Sequence, residues 1–190
     1  MKFKIHYSAC SILSLLLVAT MTAQTQTDST TGLTYTIANG EATVTGGEGP
    51  ADGKLIIPET LGGATVTIIG ESAFAGTAES PNTALLELDA TSIKQIKKTA
   101  FYQCVSLASI SLPAVNSIGG AAFHSCTALT DLSLPAVNSI GGNNAFFGCT
   151  QLISVSLPEA TGIGFGAFSD CTELASVHLP KVTTIEAHSF

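Results

Sequence analysis

Between Phe101 and Phe190 one pattern recurs: Phe-x-x-Cys-x-x-Leu-x-x-(Ile/Leu/Val)-x-Leu-Pro-x-(Val/Ala)-x-x-Ile, after which Ala-Phe starts the next copy. Its cysteines stand at Cys104, Cys126, Cys149 and Cys171, in steps of 22, 23 and 22 residues. A fixed period of that size, with the same positions apolar each time, predicts a solenoid in which one short unit stacks on copies of itself. One unit cannot bury its apolar face alone, so stability has to come from the faces shared between neighbours. The repeat also changes how single residues are read. A side chain that suggests chemistry but recurs in every copy is first a packing position.

Within a rung, Leu107-x-x-Ile110-x-Leu112-Pro113 alternates apolar and polar residues, the mark of a short strand with one buried face. Ile110 and Leu112 are expected to point inward and Ser109 and Ser111 outward. Pro113 ends the strand because it cannot donate to a ladder. Val115 and Ile118 supply two more inward groups, and Gly119 allows a tight turn. The Ala-Phe-x-x-Cys stretch is expected to form one helical or 3₁₀ turn. The Ala-Phe pairs end at Phe74, Phe101, Phe123, Phe146 and Phe168, with Ser189-Phe190 a degenerate sixth copy. The first interval is 27 residues long and carries the loop-like Gly76-Thr77-Ala78-Glu79-Ser80-Pro81-Asn82. The extra residue of the 23-residue step lies in Gly141-Gly142-Asn143-Asn144. The expected fold is a mainly β repeat solenoid with short helical or 3₁₀ turns, a right-handed stack of about five rungs of 22–23 residues behind an N-terminal β cap.

The strand motif Leu-x-x-(Ile/Leu/Val)-x-Leu resembles that of leucine-rich repeats. Joined to Ile-Gly-x-x-Ala-Phe-x-x-Cys-x-x-Leu, it resembles the BspA-like leucine-rich-repeat family of bacterial surface proteins. The N-terminal segments Gly32-Leu33-Thr34-Tyr35-Thr36-Ile37, Gly40-Glu41-Ala42-Thr43-Val44 and Leu55-Ile56-Ile57-Pro58 resemble that family's lead-in. The resemblance implies a leucine-rich-repeat-like stack and adhesion to host matrix proteins, other cells or microbes. One departure concerns Val115, Val137, Ala160 and Val182, which stand where the more familiar leucine-rich repeat has a turn-capping Asn or Cys. An asparagine ladder is therefore not expected.

The chain opens on basic residues, Lys2 and Lys4, followed by an uncharged apolar run to about Met21 and small residues at Thr22-Ala23. This reads as a secretory signal peptide over residues 1–23, because the run is short for a membrane span of roughly 20 residues. Cys10 precedes the apolar run, which argues against lipidation there. The expected organisation is then a polar linker over 24–31, a cap and first degenerate rung over 32–70, and the repeat array over 71–190. The array stops just inside a new rung, so truncation at the C-terminus is expected. Without Lys2 and Lys4 the chain keeps five lysines, no arginine and 14 acidic residues, a net charge of −9. Phosphate backbones need clustered cations, and Lys94, Lys97 and Lys98 are the only local group, so nucleic acid is not an expected partner.

The four cysteines of the mature chain lack the close Cys-x-x-Cys pairing usual for zinc. Equivalent positions on adjacent rungs lie about 4.8 Å apart, against roughly 3.8 Å between bridged Cβ atoms. Buried free thiols are the expected state, with disulfides or a metal as alternatives. His124, His178 and His188 occupy different repeat phases, so the repeat does not gather them. Gly162-Ile163-Gly164-Phe165-Gly166 falls on the repeat's own turn and is not read as a phosphate loop. Neither a catalytic set nor a cofactor motif is read from the sequence. The outward strand positions form two columns: Ser109, Asp131, Ser154 and Ser176, then Ser111, Ser133, Ser156 and His178. These eight residues are the candidate partner-binding face, although the same residues equally serve to keep a sheet face wet. Tyr102 and Phe147 follow the repeat Phe and are expected at the rim, partly exposed. The resulting expectation is a non-catalytic, exported binding module, secreted or on the cell surface. Its partner is expected to be a host matrix or cell-surface protein. An envelope spacer and a glycan-binding protein are the alternatives, the latter weakened by the absence of Trp.

Overall fold

A computed structural model describes residues 23–190, so the signal-peptide reading and Cys10 lie outside the described residues. The first strands in chain order are β1 (Gln26–Thr27), β2 (Leu33–Ala38), β3 (Glu41–Gly47), β4 (Lys54–Ile56), β5 (Thr60–Leu61) and β6 (Ala64–Ile69). The array then alternates longer and shorter strands: β7 (Glu87–Asp89), β8 (Gln95–Ile96), β9 (Ser109–Ser111), β10 (Ser117–Ile118), β11 (Asp131–Ser133) and β12 (Ser139–Ile140). It ends with β13 (Ser154–Ser156), β14 (Gly162–Ile163), β15 (Ser176–His178) and β16 (Thr184–Ile185).

The short strands stack in parallel on one side, in the order β6-β8-β10-β12-β14-β16. The three-residue strands form the opposite, front side. Strands β2 and β3 form an antiparallel hairpin, and β3 then pairs in parallel with β6. Asn39 and Gly40 at its tip have φ of 53° and 79°. That is the left-handed pair a tight hairpin turn needs, and Asn-Gly is its strongest short-range signal. The buried Leu33, Tyr35, Ala42 and Val44 of this hairpin continue the core beneath the first rungs.

The core is a set of columns, one residue per rung. The rings of Phe74, Phe101, Phe123, Phe146, Phe168 and Phe190 form one stack, with successive centroids 5.1–5.6 Å apart and planes within 15°. Ala100, Ala122, Ala145 and Ala167 beside them are fully buried. The Leu, Val and Ile positions expected to point inward are buried from Leu107 to Ile163, except the partly buried Ile110. In the last layer Val177, Ile185 and Phe190 are exposed.

The Ala-Phe-x-x-Cys connection departs from the expected helical or 3₁₀ turn, since the described residues contain no helix of any type. Around Phe101 the amides divide between two directions. Tyr102 and Cys104 donate within the rung to Thr99 and Phe101, whereas Phe101 and Gln103 donate across to Ala122 and His124 of the next rung. A helix would take all of these amides for itself. Left-handed residues at Thr99 (φ 54°) and Gln103 (φ 57°) enforce the interruption, and the same two positions recur in later rungs, for example at Ala121 (53°) and Ser125 (58°). A Cβ in this region is strained. Ala121→Gly is therefore expected to raise stability by about 1 kcal/mol in urea titration; an unchanged or lower midpoint would contradict the strain.

Each cysteine does more than fill its column. The thiols of Cys104, Cys126, Cys149 and Cys171 donate to the carbonyls of Phe74, Phe101, Phe123 and Phe146, at 3.2 to 3.3 Å. Burial pushes the Cys104 thiol up to about 12 and Cys126 well above its ordinary value, so both stay protonated and able to donate. The Phe101, Phe123 and Phe146 carbonyls also accept the amides of Cys104, Cys126 and Cys149, and that of Phe74 accepts from the Asn82 side chain, so the sulfur ladder gives each carbonyl a second donor.

The front side carries a seam. Strands β4-β7-β9 form one plate and β11-β13-β15 another, with the ladder interrupted between β9 and β11. On the opposite side β10 and β12 pair only at Ser117 and Ser139, and the Asn138 amide is 3.5 Å from the Asn116 carbonyl. The ring stack runs through this region unbroken, with Phe123 5.1 Å from both Phe101 and Phe146.

Candidate functional site

Period-two alternation turns the odd positions of each front strand outward, and parallel pairing without slippage lines them up. Asp131, Ser154 and Ser176 are in direct register, as are Ser133, Ser156 and His178. The Ser154 hydroxyl donates to the Asp131 carboxylate at 2.6 Å, tying adjacent rungs together. Ser109 and Ser111 lie on the other plate, across the seam from these six residues, in register with Glu87 and Asp89 and through them with Lys54 and Ile56. The structure thus places the eight outward residues in the two expected columns and divides them two and six. Sequence reasoning missed Lys54, Ile56, Glu87 and Asp89, which extend the same columns. The missing proline after β7 and the 27-residue interval hid the alignment, although Leu55 and Leu88 carried the inward phase.

On the first plate the columns flank a groove of about 280 Å³, lined by Lys54, Glu87, Asp89, Ser109 and Ser111. Lys54 and Glu87 form an ion pair at 3.6 Å. Lys54 is also a wall of a second hollow of about 220 Å³, formed with Leu33, Pro50, Ile56 and Thr31. The two hollows meet at Lys54, one more apolar and the other polar.

On a lateral side Tyr102, His124 and Phe147 stack with centroids 4.8 Å apart in both steps. All three are half-buried. His124, between the other two rings, is held below the ordinary imidazole range by burial, and the Ser125 hydroxyl lies 2.9 Å from its Nδ1. The other two histidines among the described residues lie apart from it: His178 on the front face, and His188 edge-on to Phe165 at 5.5 Å. Among the described residues no group of His, Cys, Asp and Glu is placed to hold a metal ion, and no helix is long and apolar enough to cross a membrane.

A family model for BspA-type leucine-rich repeat regions matches residues 67–190 in six copies, one more than the count of about five rungs from spacing. No curated protein matches the chain. Among solved structures, a leucine-rich cell surface protein from Faecalibacterium prausnitzii is 30% identical with a TM-score of 0.75. That match covers 88% of this chain and 46% of the other, so the chain spans less than half of that relative's length. A leucine-rich repeat protein from Bacteroides capillosus is 26% identical with a TM-score of 0.57, covering 69% of this chain and 96% of the other. A T. pallidum leucine-rich repeat protein shares the fold, with 24% identity, a TM-score of 0.62 and coverage of 84% and 86%.

Proposed function

This chain belongs to the BspA-type leucine-rich repeat family, and from that premise we propose that it is a non-catalytic, exported binding module whose front face holds a protein partner. One observation carries the reading: short hydroxyl and carboxylate side chains stand in registered columns on a scaffold whose core columns are almost wholly buried. Such a face offers many hydrogen-bonding groups at little entropic cost, because serine has few rotamers to lose. Export is supported by the basic, then apolar, N-terminal segment and by the description of the Faecalibacterium relative as a cell surface protein. Adhesion to host matrix or cell-surface proteins is the form of binding that this reading favours.

The test is surface capture of a panel of extracellular matrix proteins, beside a glycan array. Ser133→Arg and Ser156→Arg place bulk on the front face, and Asn116→Arg places it on the opposite side. A front-face partner is expected to be lost with the first two variants and kept with the third. Equal retention by all three would move binding elsewhere. Silence in both panels would favour an envelope spacer, and a glycan-only signal would favour the lectin alternative.

A further inference from the structure

We infer that the two hollows on either side of Lys54 on the first plate take an extended, basic polypeptide segment carrying an apolar side chain, which seats on Ile56 in one hollow while a Lys or Arg side chain meets Asp89 in the other. This rests on the binding-module reading and names the chemistry of its partner.

Ile56 is 57% exposed although it sits on a strand of the structured face. It is in register with Asp89, one rung on, so an apolar contact point and a carboxylate stand about 4.8 Å apart. Asp89 is half-buried in the groove and has no side-chain partner among the described residues. An ionised carboxylate in that position gains most from a cation that reaches it. The face does not supply one. Lys54 is engaged by Glu87, Lys181 by Glu159 at 2.7 Å, and Lys94, Lys97 and Lys98 flank β8 on the other sheet. With Glu87, Asp89 and Asp131 outward, the front face is acidic and complementary to a basic partner. The joined hollows offer a place for the apolar side chain against Leu33, Pro50 and Ile56. In an extended chain, residues two apart point the same way about 6.7 Å along. An apolar residue followed two positions later by Arg therefore spans from Ile56 to the Asp89 carboxylate.

The probes are fluorescein-labelled peptides with the alternation Ser-Leu-Ser-Arg-Ser-Arg-Ser, the same peptide with Glu for Arg, and the same with Ser for Leu. Each is titrated against the full chain by fluorescence anisotropy. The Arg peptide is expected to bind more tightly than both others and to weaken as salt rises. Asp89→Asn and Ile56→Ser are each expected to weaken it by about fivefold, with thermal melts like the parent's. No binding of the Arg peptide, equal binding of the Glu peptide, or unchanged affinity in both variants would overturn the inference. The peptide comparison stands even if a variant folds poorly. If the Arg peptide fails while matrix capture still depends on Ser133 and Ser156, only this inference falls. If capture ignores the front face while the Arg peptide binds as expected, only the parent location of binding falls.

Discussion

Phe123→Ala is expected to lower the stability of this protein by roughly 3–5 kcal/mol. The ring is fully buried and lies 5.1 Å from the rings on either side, with interplanar angles of 10° and 3°. Its removal leaves a void with stacked neighbours above and below, and neither can close it without leaving its own rung. The position also matters. Between β9 and β11 the front ladder is interrupted and the opposite ladder is thinned, so near the seam continuity between the two halves rests on the ring stack together with the amide ladder of the Phe turns. In a solenoid, stability is carried by interfaces between nearest neighbours. Loss of a central interface should therefore lower the urea midpoint and broaden the transition as the halves begin to unfold separately. Phe74→Ala, at the start of the stack, should cost less and leave the transition sharp. A far-ultraviolet circular dichroism melt with the parent's midpoint for Phe123→Ala would remove the stack from its central role.

Alkaline lability is the second large effect, and it comes from the sulfur ladder. Burial raises the Cys104 thiol from its ordinary 9.0 to about 12, so the folded protein holds this proton more tightly than the unfolded chain does. The stabilisation is therefore complete below pH 9 and is lost as pH rises from 9 towards 12. That interval corresponds to about 4 kcal/mol for Cys104 alone. Cys126 is raised in the same direction by burial, whereas Cys149 and Cys171 shift in opposite directions through their mutual interaction, Cys149 up and Cys171 down, so the slope is carried by Cys104 and Cys126. Unfolding followed between pH 8 and pH 12 should show a steep fall in stability. Cys104→Ser keeps a donor facing the Phe74 carbonyl but has no thiol to titrate, so its stability should fall less steeply over the same range. Identical slopes for the two proteins would show that the thiol proton is not coupled to folding.

The sulfur ladder also shows where sequence reading stopped. The cysteine period was visible, and spacing between rungs argued for free thiols. Each sulfur, however, faces the carbonyl of a phenylalanine 25 to 30 residues earlier, a pairing of distant residues that local pattern does not contain. The expected helical turn failed for a related reason. Propensity is local, but the amides of Phe101 and Gln103 donate to the next rung, and that competition exists only once two rungs are stacked. The repeat does not gather His124 with His178 and His188, yet it does stack His124 with Tyr102 and Phe147, which hold the same repeat phase on the neighbouring rungs.

By itself, the sequence determined the period, the inward columns and the outward phase of Ser109 through His178. Those depend on alternation and on proline and glycine, which act over a few residues. The tertiary structure alone decided how the rungs meet: the divided hydrogen bonding of the Phe turn, the thiol-to-carbonyl ladder and the seam between β9 and β11. It also decided that Lys54, Glu87 and Asp89 share one groove with Ser109 and Ser111, and that Ile56 lines the hollow on the far side of Lys54. Each of these arises between residues 20 or more apart, where a change of a few tenths of an ångström in stacking makes or breaks a hydrogen bond.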